Sequence, residues 1–240
     1  MSRSGTRAGK AFISVMKITS EQTPAWYSAS WSGGKDSCLA CYLAIKNGMP
    51  VSRLVHFDRP NNLHGVDPAL IRLHADLTGI PMVQHKVSQE KFDQEFKRIV
   101  STLKNEGIEG MIFGDIYLEP HKEWVDRTCA EVGIEAVEPL WGRKTGDIIR
   151  EFLSLGFETI IASGNQKLIG KEWIGRKMDD AFIEYLKTQN LDVCGESGEF
   201  HTFVTAGPLF EGRIDITRSE VVARDGFWFL DVKGYRVVNH

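Results

Sequence analysis

From Trp26 to Ala162, short apolar runs alternate with segments whose apolar residues recur at helical spacing, and this alternation restricts the fold more than any other feature. Trp26–Trp31, Val51–Phe57, Pro81–Val87, Gly110–Phe113, Glu135–Val137 and Glu158–Ala162 read as strands. Between them, Asp36–Asn47, Asp67–Thr78, Ser88–Lys104, Pro120–Val132 and Thr145–Leu155 read as helices. Asp67 suits an N-cap and Pro68 the position after it, while Ser88 suits the cap of a long helix carrying Phe92, Phe96, Ile99, Val100 and Leu103 on one side. Strands joined by helices of this length predict an α/β fold, a doubly wound parallel sheet with right-handed crossovers. The alternation loosens near Glu138-Pro139-Leu140-Trp141-Gly142. Beyond it come a last helix over Arg176–Thr188, a strand over Phe200–Thr205 and a β-rich tail, Arg213–Val238. The expected organisation is a domain over 26–138 and a smaller α+β C-terminal subdomain over 139–240.

The 240 residues are 42% apolar and 25% charged, enough to predict a packed core. A net charge of −3 and a pI near 6.2 argue against broad nonspecific nucleic-acid binding. No run approaches the length of a membrane span. Residues 1–25 are polar and lack the apolar stretch of a signal peptide, so a disordered leader and a cytoplasmic protein are expected, with Met16 as an alternative start. Cys38, Cys41, Cys129 and Cys194 are expected as reduced thiols, because a chain of this size does not need disulfides. Cys38 and Cys41 form a C-x-x-C inside the first helix, which reads as small buried residues before it reads as a redox pair.

Chemistry enters with Ser32-Gly33-Gly34-Lys35-Asp36-Ser37, between the first strand and the first helix. In open α/β sheets, ligands sit beyond the carboxyl ends of the strands where strand order reverses. Gly33 and Gly34 let the backbone approach an anion, and the helix start offers free N–H groups. Ser32 and Ser37 add hydroxyls and Lys35 a positive charge. This is not the G-x-x-x-x-G-K-[ST] loop of the common nucleotide triphosphatases, because its glycines adjoin and an Asp follows the Lys. Asp36 suits either the first turn of the helix or a Mg²⁺ ion. A second cluster, Glu196, Glu199 and His201, has two carboxylates and an imidazole that could bind a cation, orient ammonia or take its proton.

The SGGKDS stretch resembles the PP-loop of the N-type ATP pyrophosphatases, which cleave ATP to AMP and pyrophosphate. Gly114-Asp115-Ile116, Glu138–Gly142, Trp173-Ile174-Gly175-Arg176 and Gly195–Val204 extend the likeness to the diphthine–ammonia ligase group and its prokaryotic relatives. The resemblance implies a HUP-type sheet of order 3-2-1-4-5, with the loop of Ser32, Gly33, Gly34, Lys35, Asp36 and Ser37 holding the departing pyrophosphate. It sets Gly114 and Asp115 beside that loop, Asp115 holding Mg²⁺ or a substrate amine, and His56 and Asp58 near the adenine. Lys35, Asp36, Asp115, Glu196, Glu199 and His201 become the catalytic candidates, Asp36 and Asp115 the metal ligands, and ATP with Mg²⁺ the cofactors. The implied reaction is adenylation of a carboxylate, followed by amidation with ammonia. The acid is small or borne on a protein such as an elongation factor, and a homodimer stays open. Two departures fall in the implied substrate loops: Pro60–Gly65 keeps a His but lacks the Thr after it, and Ser197 stands where a Gly is usual. A tRNA-thiolating enzyme and a non-catalytic nucleotide sensor are the competing readings of the same loop.

Overall fold

The computed structural model describes residues 25–60 and 62–239. The expected leader lies outside them, except for residue 25. Five parallel strands, β1 (Trp26–Ser30), β2 (Val51–Asp58), β3 (Met82–Lys86), β4 (Ile108–Ile112) and β5 (Glu135–Val137), form one sheet in the order β3-β2-β1-β4-β5. The doubly wound order is therefore as expected. β1 lies between β2 and β4, so the loops after these three strands open at the same edge.

Helices α1 (Lys35–Lys46), α2 (Pro68–Thr78), α3 (Phe92–Asn105) and α4 (Glu119–Val132) connect the strands. α2 starts as its sequence suggests: the Asp67 side chain accepts the Ala69 N–H at 2.7 Å, and Pro68 follows. α3 starts four residues later than expected. Lys91 N–H donates to Ser88 Oγ at 3.2 Å and Ser88 N–H to Glu95 Oε2 at 2.8 Å, so Ser88 closes a turn ahead of the helix. The apolar stripe of α3 is buried as read, with Phe96, Ile99, Val100 and Leu103 packed against Val55, Met111 and α4's Val125. Each such side chain contributes about 1.5–3 kcal/mol on leaving water.

The second unit holds α5 (Thr145–Ser154), a 3-10 turn at Lys171–Trp173, α6 (Asp180–Thr188) and four antiparallel strands. β6 (Glu158–Asn165) sits between β7 (Phe200–Ala206) and β9 (Phe227–Asn239), with β8 (Gly212–Arg224) at the edge. β8 and β9 form a hairpin through Asp225-Gly226, both in the left-handed region that a tight two-residue turn requires. α6 is shorter than the expected Arg176–Thr188. Asp179 caps it by accepting the Phe182 N–H at 3.0 Å, and Arg176 lies upstream with its guanidinium over the Trp173 ring.

One apolar core joins the two sheets. α1 supplies Cys38, Leu39, Ala40 and Cys41, and the second unit supplies Phe152, Phe182, Phe200 and Phe203. The first helix is therefore clamped from both sides, and the main chain seals the contact where Val204 N–H donates to Gly33 O at 2.9 Å.

Candidate active site

The loop after β1 turns sharply at Gly33, whose φ of +80° suits a residue without a side chain. Its own hydroxyls hold it: Ser37 Oγ donates to Gly34 O at 3.0 Å, Ser32 and Ser37 Oγ lie 3.2 Å apart, and Gly34 N–H donates to Ser32 Oγ at 3.2 Å. β7 reaches it as well, since Thr202 Oγ1 accepts the Lys35 N–H at 3.0 Å. The end of β4 presses on the same turn. A Cβ on Gly114 would stand 2.7 Å from the carbonyl carbon of Asp36 and 2.9 Å from the Ser37 nitrogen, so only glycine lets the two loops meet.

A cavity of about 380 Å³ opens over this junction. Ser32, Lys35, Asp36, Ser37, Gly114 and Asp115 line its floor; Glu196, His201 and Thr202 from the second unit form its opposite wall. Residues more than 160 positions apart in the chain thus face one space, as Lys35 and Thr202 illustrate with a separation of 167. Glu199 is not in that wall. It is buried behind it, Oε1 accepting the Asp192 N–H at 3.4 Å and Oε2 unpaired. Asp192 organises the loop: its carboxylate accepts the N–H groups of Cys194 at 3.3 Å and Glu196 at 3.1 Å and the Tyr117 hydroxyl at 3.1 Å.

Lys35 is buried and engaged. Its ammonium donates to Asp36 Oδ2 at 2.7 Å and to the Cys194 carbonyl. Burial opposes the charge most strongly, but Asp36, Cys194 and Glu196 together outweigh it and keep the lysine above its usual range. Asp36 Oδ1 is a buried oxygen without a hydrogen-bond partner. Asp115 takes His121 at 2.6 Å on Oδ1, and that contact raises the His121 pKa against the effect of burial. Among the described residues, no three His, Cys, Asp or Glu side chains converge on a metal position. The free oxygen of Asp36, with Asp115 nearby, fits Mg²⁺ carried in by a nucleotide, since this ion is usually held by one or two carboxylates plus phosphates. In the opposite wall, burial and then Asp36 push Glu196 up to about 7. Burial and then Lys35 bring His201 down to about 4.

A smaller cavity of about 140 Å³ adjoins the first and is walled by Phe57, Phe92, Phe96, Phe113 and Trp124. His56 lines it, buried, with Nδ1 at 2.8 Å from the Trp31 carbonyl and Nε2 unpaired. The carbonyl can only accept, so Nδ1 carries the proton and the buried Nε2 is left as an unpaired acceptor. Asp58 lines neither space and turns towards the β8–β9 ribbon instead.

The sequence matches two family models in succession, Diphthamide synthase N-terminal domain over residues 27–136 and Diphthamide synthase C-terminal domain over residues 144–239. The chain belongs to the diphthamide synthase family. Diphthine–ammonia ligase of Homo sapiens is 26% identical over 230 residues, covering 84% of this chain and 86% of the relative. The protein of that name from Danio rerio is 25% identical over 233 residues, covering 84% and 90%. A solved structure titled as a predicted subunit of tRNA methyltransferase from Methanocaldococcus jannaschii aligns at TM-score 0.43 and 14% identity over 76% of this chain and 97% of that one.

In this member of the diphthamide synthase family all four cysteines are free and buried. Cys38 and Cys41 face the core, and burial raises both thiols, Cys41 to about 12. A C-x-x-C in that state offers no thiolate, which removes the feature that favoured tRNA thiolation. Arg176 sits on Trp173 and outside both cavities. Thr202, His121 and Arg59 line the larger cavity without having been marked as site candidates in the sequence. Thr202 lies inside the Gly195–Val204 stretch next to His201, which was its signal. His121 and Arg59 sit at positions that no local pattern distinguishes.

Proposed function

We propose that the protein is an ATP-dependent, AMP-forming ligase that adenylates a substrate carboxylate and amidates it with ammonia. The observation that carries this reading is the shared cavity: a glycine turn at a helix start with a charged lysine on its floor, and a carboxyl group near pKa 7 in the facing wall. Family membership supports the same chemistry. The loop from Ser32 to Ser37 would take the β and γ phosphates, with Lys35 and the helix start opposing their charge. Bound Mg²⁺, held by Asp36 and Asp115, would neutralise phosphate oxygens. The substrate carboxylate attacks the α phosphorus, the bond to the bridging oxygen of the β phosphate breaks, and pyrophosphate leaves. Ammonia then attacks the acyl carbon, AMP departs with the acyl oxygen, and the surplus proton passes to Glu196. Glu199 acts by holding the 192–199 loop. Diphthine, the acid in the name of the relatives, is the first candidate, and the changed loops at Pro60–Gly65 and Ser197 are where another acid would be admitted.

The test is product identity. With Mg²⁺, ATP, ammonium and a diphthine-bearing protein, AMP and pyrophosphate are expected in equal amounts with the amide; ADP and phosphate would refute the reading.

The base role has its own signature. A general base works deprotonated, so at a fixed concentration of free ammonia the amidation rate should fall as pH drops through about 7, the value to which Glu196 is pushed. Glu196→Gln should cost about 10²–10³-fold and remove that acidic limb. A variant that keeps the limb would assign it to another group.

A further inference from the structure

Arg59 follows β2 and stands where the two cavities meet. It lines the 380 Å³ space over the phosphate-binding turn and the 140 Å³ aromatic space beside it. Its guanidinium lies over the Phe92 ring, 5.0 Å from the centroid, and makes no hydrogen bond or ion pair among the described residues. The other cation on the floor is already engaged, Lys35 by Asp36 and the Cys194 carbonyl. The remaining charged walls, Asp36, Asp115 and Glu196, are acidic and would repel a polyphosphate. Burial lowers the pKa of Arg59, as expected for a cation without a counter-charge.

On the reading of these cavities as the ATP site, the aromatic space suits the base and the turn suits the β and γ phosphates. Between base and pyrophosphate in ATP lie the ribose and the α phosphate, and Arg59 occupies the corresponding stretch of wall. We infer that Arg59 is the clamp for the α phosphate, its planar fork holding two oxygens of the group at which the acid attacks. Stacking on Phe92 fixes the plane of the fork before the nucleotide arrives, so little side-chain freedom is lost on binding. The α phosphate survives in the product AMP, so the clamp would hold substrate and product alike.

The experiment is calorimetric titration of the full chain, Arg59→Gln and Arg59→Lys with ATP, AMP and adenosine. Arg59→Gln should weaken AMP by about 10–100-fold and leave adenosine within about twofold, with Arg59→Lys between the two, because a point charge replaces a bidentate fork. Adenosine binding doubles as the check that the variant is folded. Unchanged AMP affinity in Arg59→Gln overturns the clamp while leaving the ATP reading intact. Equal losses for AMP and adenosine also overturn it, assigning Arg59 to the base pocket through Phe92. If the unaltered chain binds none of the three, the ATP reading itself fails and the clamp falls with it.

Discussion

Replacing Lys35 with Met should lower the rate of pyrophosphate formation by about 10³-fold at saturating ATP. Among the described residues Lys35 is the one cation buried at the turn, and its charge persists because Asp36, helped by Cys194 and Glu196, offsets the cost of desolvation. Charge builds on the bridging oxygen as pyrophosphate leaves, and a preorganised donor in a water-poor site acts there most strongly. The same substitution has a structural consequence that must be separated from it. Asp36 loses its partner, and the loop at Cys194 loses a donor to its carbonyl. Removing one member of a buried pair typically costs about 3–5 kcal/mol; Asp36 retains partial solvent access, so a loss at or below the lower end is expected. Urea melts measure that part, and steady-state rates on the folded variant measure the rest. A folded Lys35→Met protein that loses less than about tenfold in rate would reduce Lys35 to a structural pin.

Acid should begin to destabilise the protein well above the ordinary carboxylate range. His74 is fully buried on α2, where its Nδ1 accepts the Trp31 Nε1–H at 3.1 Å. Nε2 therefore carries the ring's own proton and donates to the Val204 carbonyl at 2.8 Å. Both nitrogens are satisfied only while the ring is neutral, since a second proton would face the indole N–H. Burial accordingly lowers its pKa to about 3, against about 6.5 in an unfolded chain. The unfolded state takes up the proton first as pH falls. The stabilisation is therefore complete above about pH 6.5 and is lost progressively towards pH 3, at up to about 1.4 kcal/mol per pH unit. His201, lowered to about 4, adds a similar loss over most of that window. By pH 4.5 each histidine should have withdrawn about 2–3 kcal/mol, while Glu196, pushed up to about 7, protonates first in the folded state and returns about the amount of one of them, so a net loss remains. Urea denaturation at pH 7.5 and 4.5 tests this. His74→Phe should be about 2 kcal/mol less stable at pH 7.5, because Trp31 and Val204 each lose a buried partner, yet show a shallower fall with acid. An unchanged slope in that variant would remove His74 from the account.

His74 also illustrates how tertiary structure reaches the site. It bridges Trp31, at the start of the glycine turn after β1, to Val204 on β7, and its ring stacks on Phe203 at 4.8 Å between centroids. In the sequence it is a lone histidine in an amphipathic helix, with nothing to separate it from a surface residue. Asp67 before α2 is the opposite case. A cap acts within one turn, so its chemistry is visible in three consecutive residues, and the structure agrees. Ser88 and Arg176 lie between these extremes. Both sit near a helix start, but Glu95 reaches back to Ser88 ahead of α3, and residues 175–178 pair through their main chain with β6 ahead of α6, so both helices begin later.

The order of the elements, the parallel sheet, the glycine turn after β1 and the apolar faces were determined by the chain's local pattern, because strand and helix periods, caps and glycine turns act over a few residues. Which polar groups face one another was decided only by the tertiary structure. Packing of β7 against α1 brings Thr202, Glu196 and His201 over a loop more than 150 residues earlier and turns Glu199 away from it. Close approach of β4 to α1 requires glycine at position 114. The physical reason is that burial and electrostatic pairing depend on distance in space. A residue such as Arg59 acquires its meaning from the cavities it borders, and not from its neighbours in the chain.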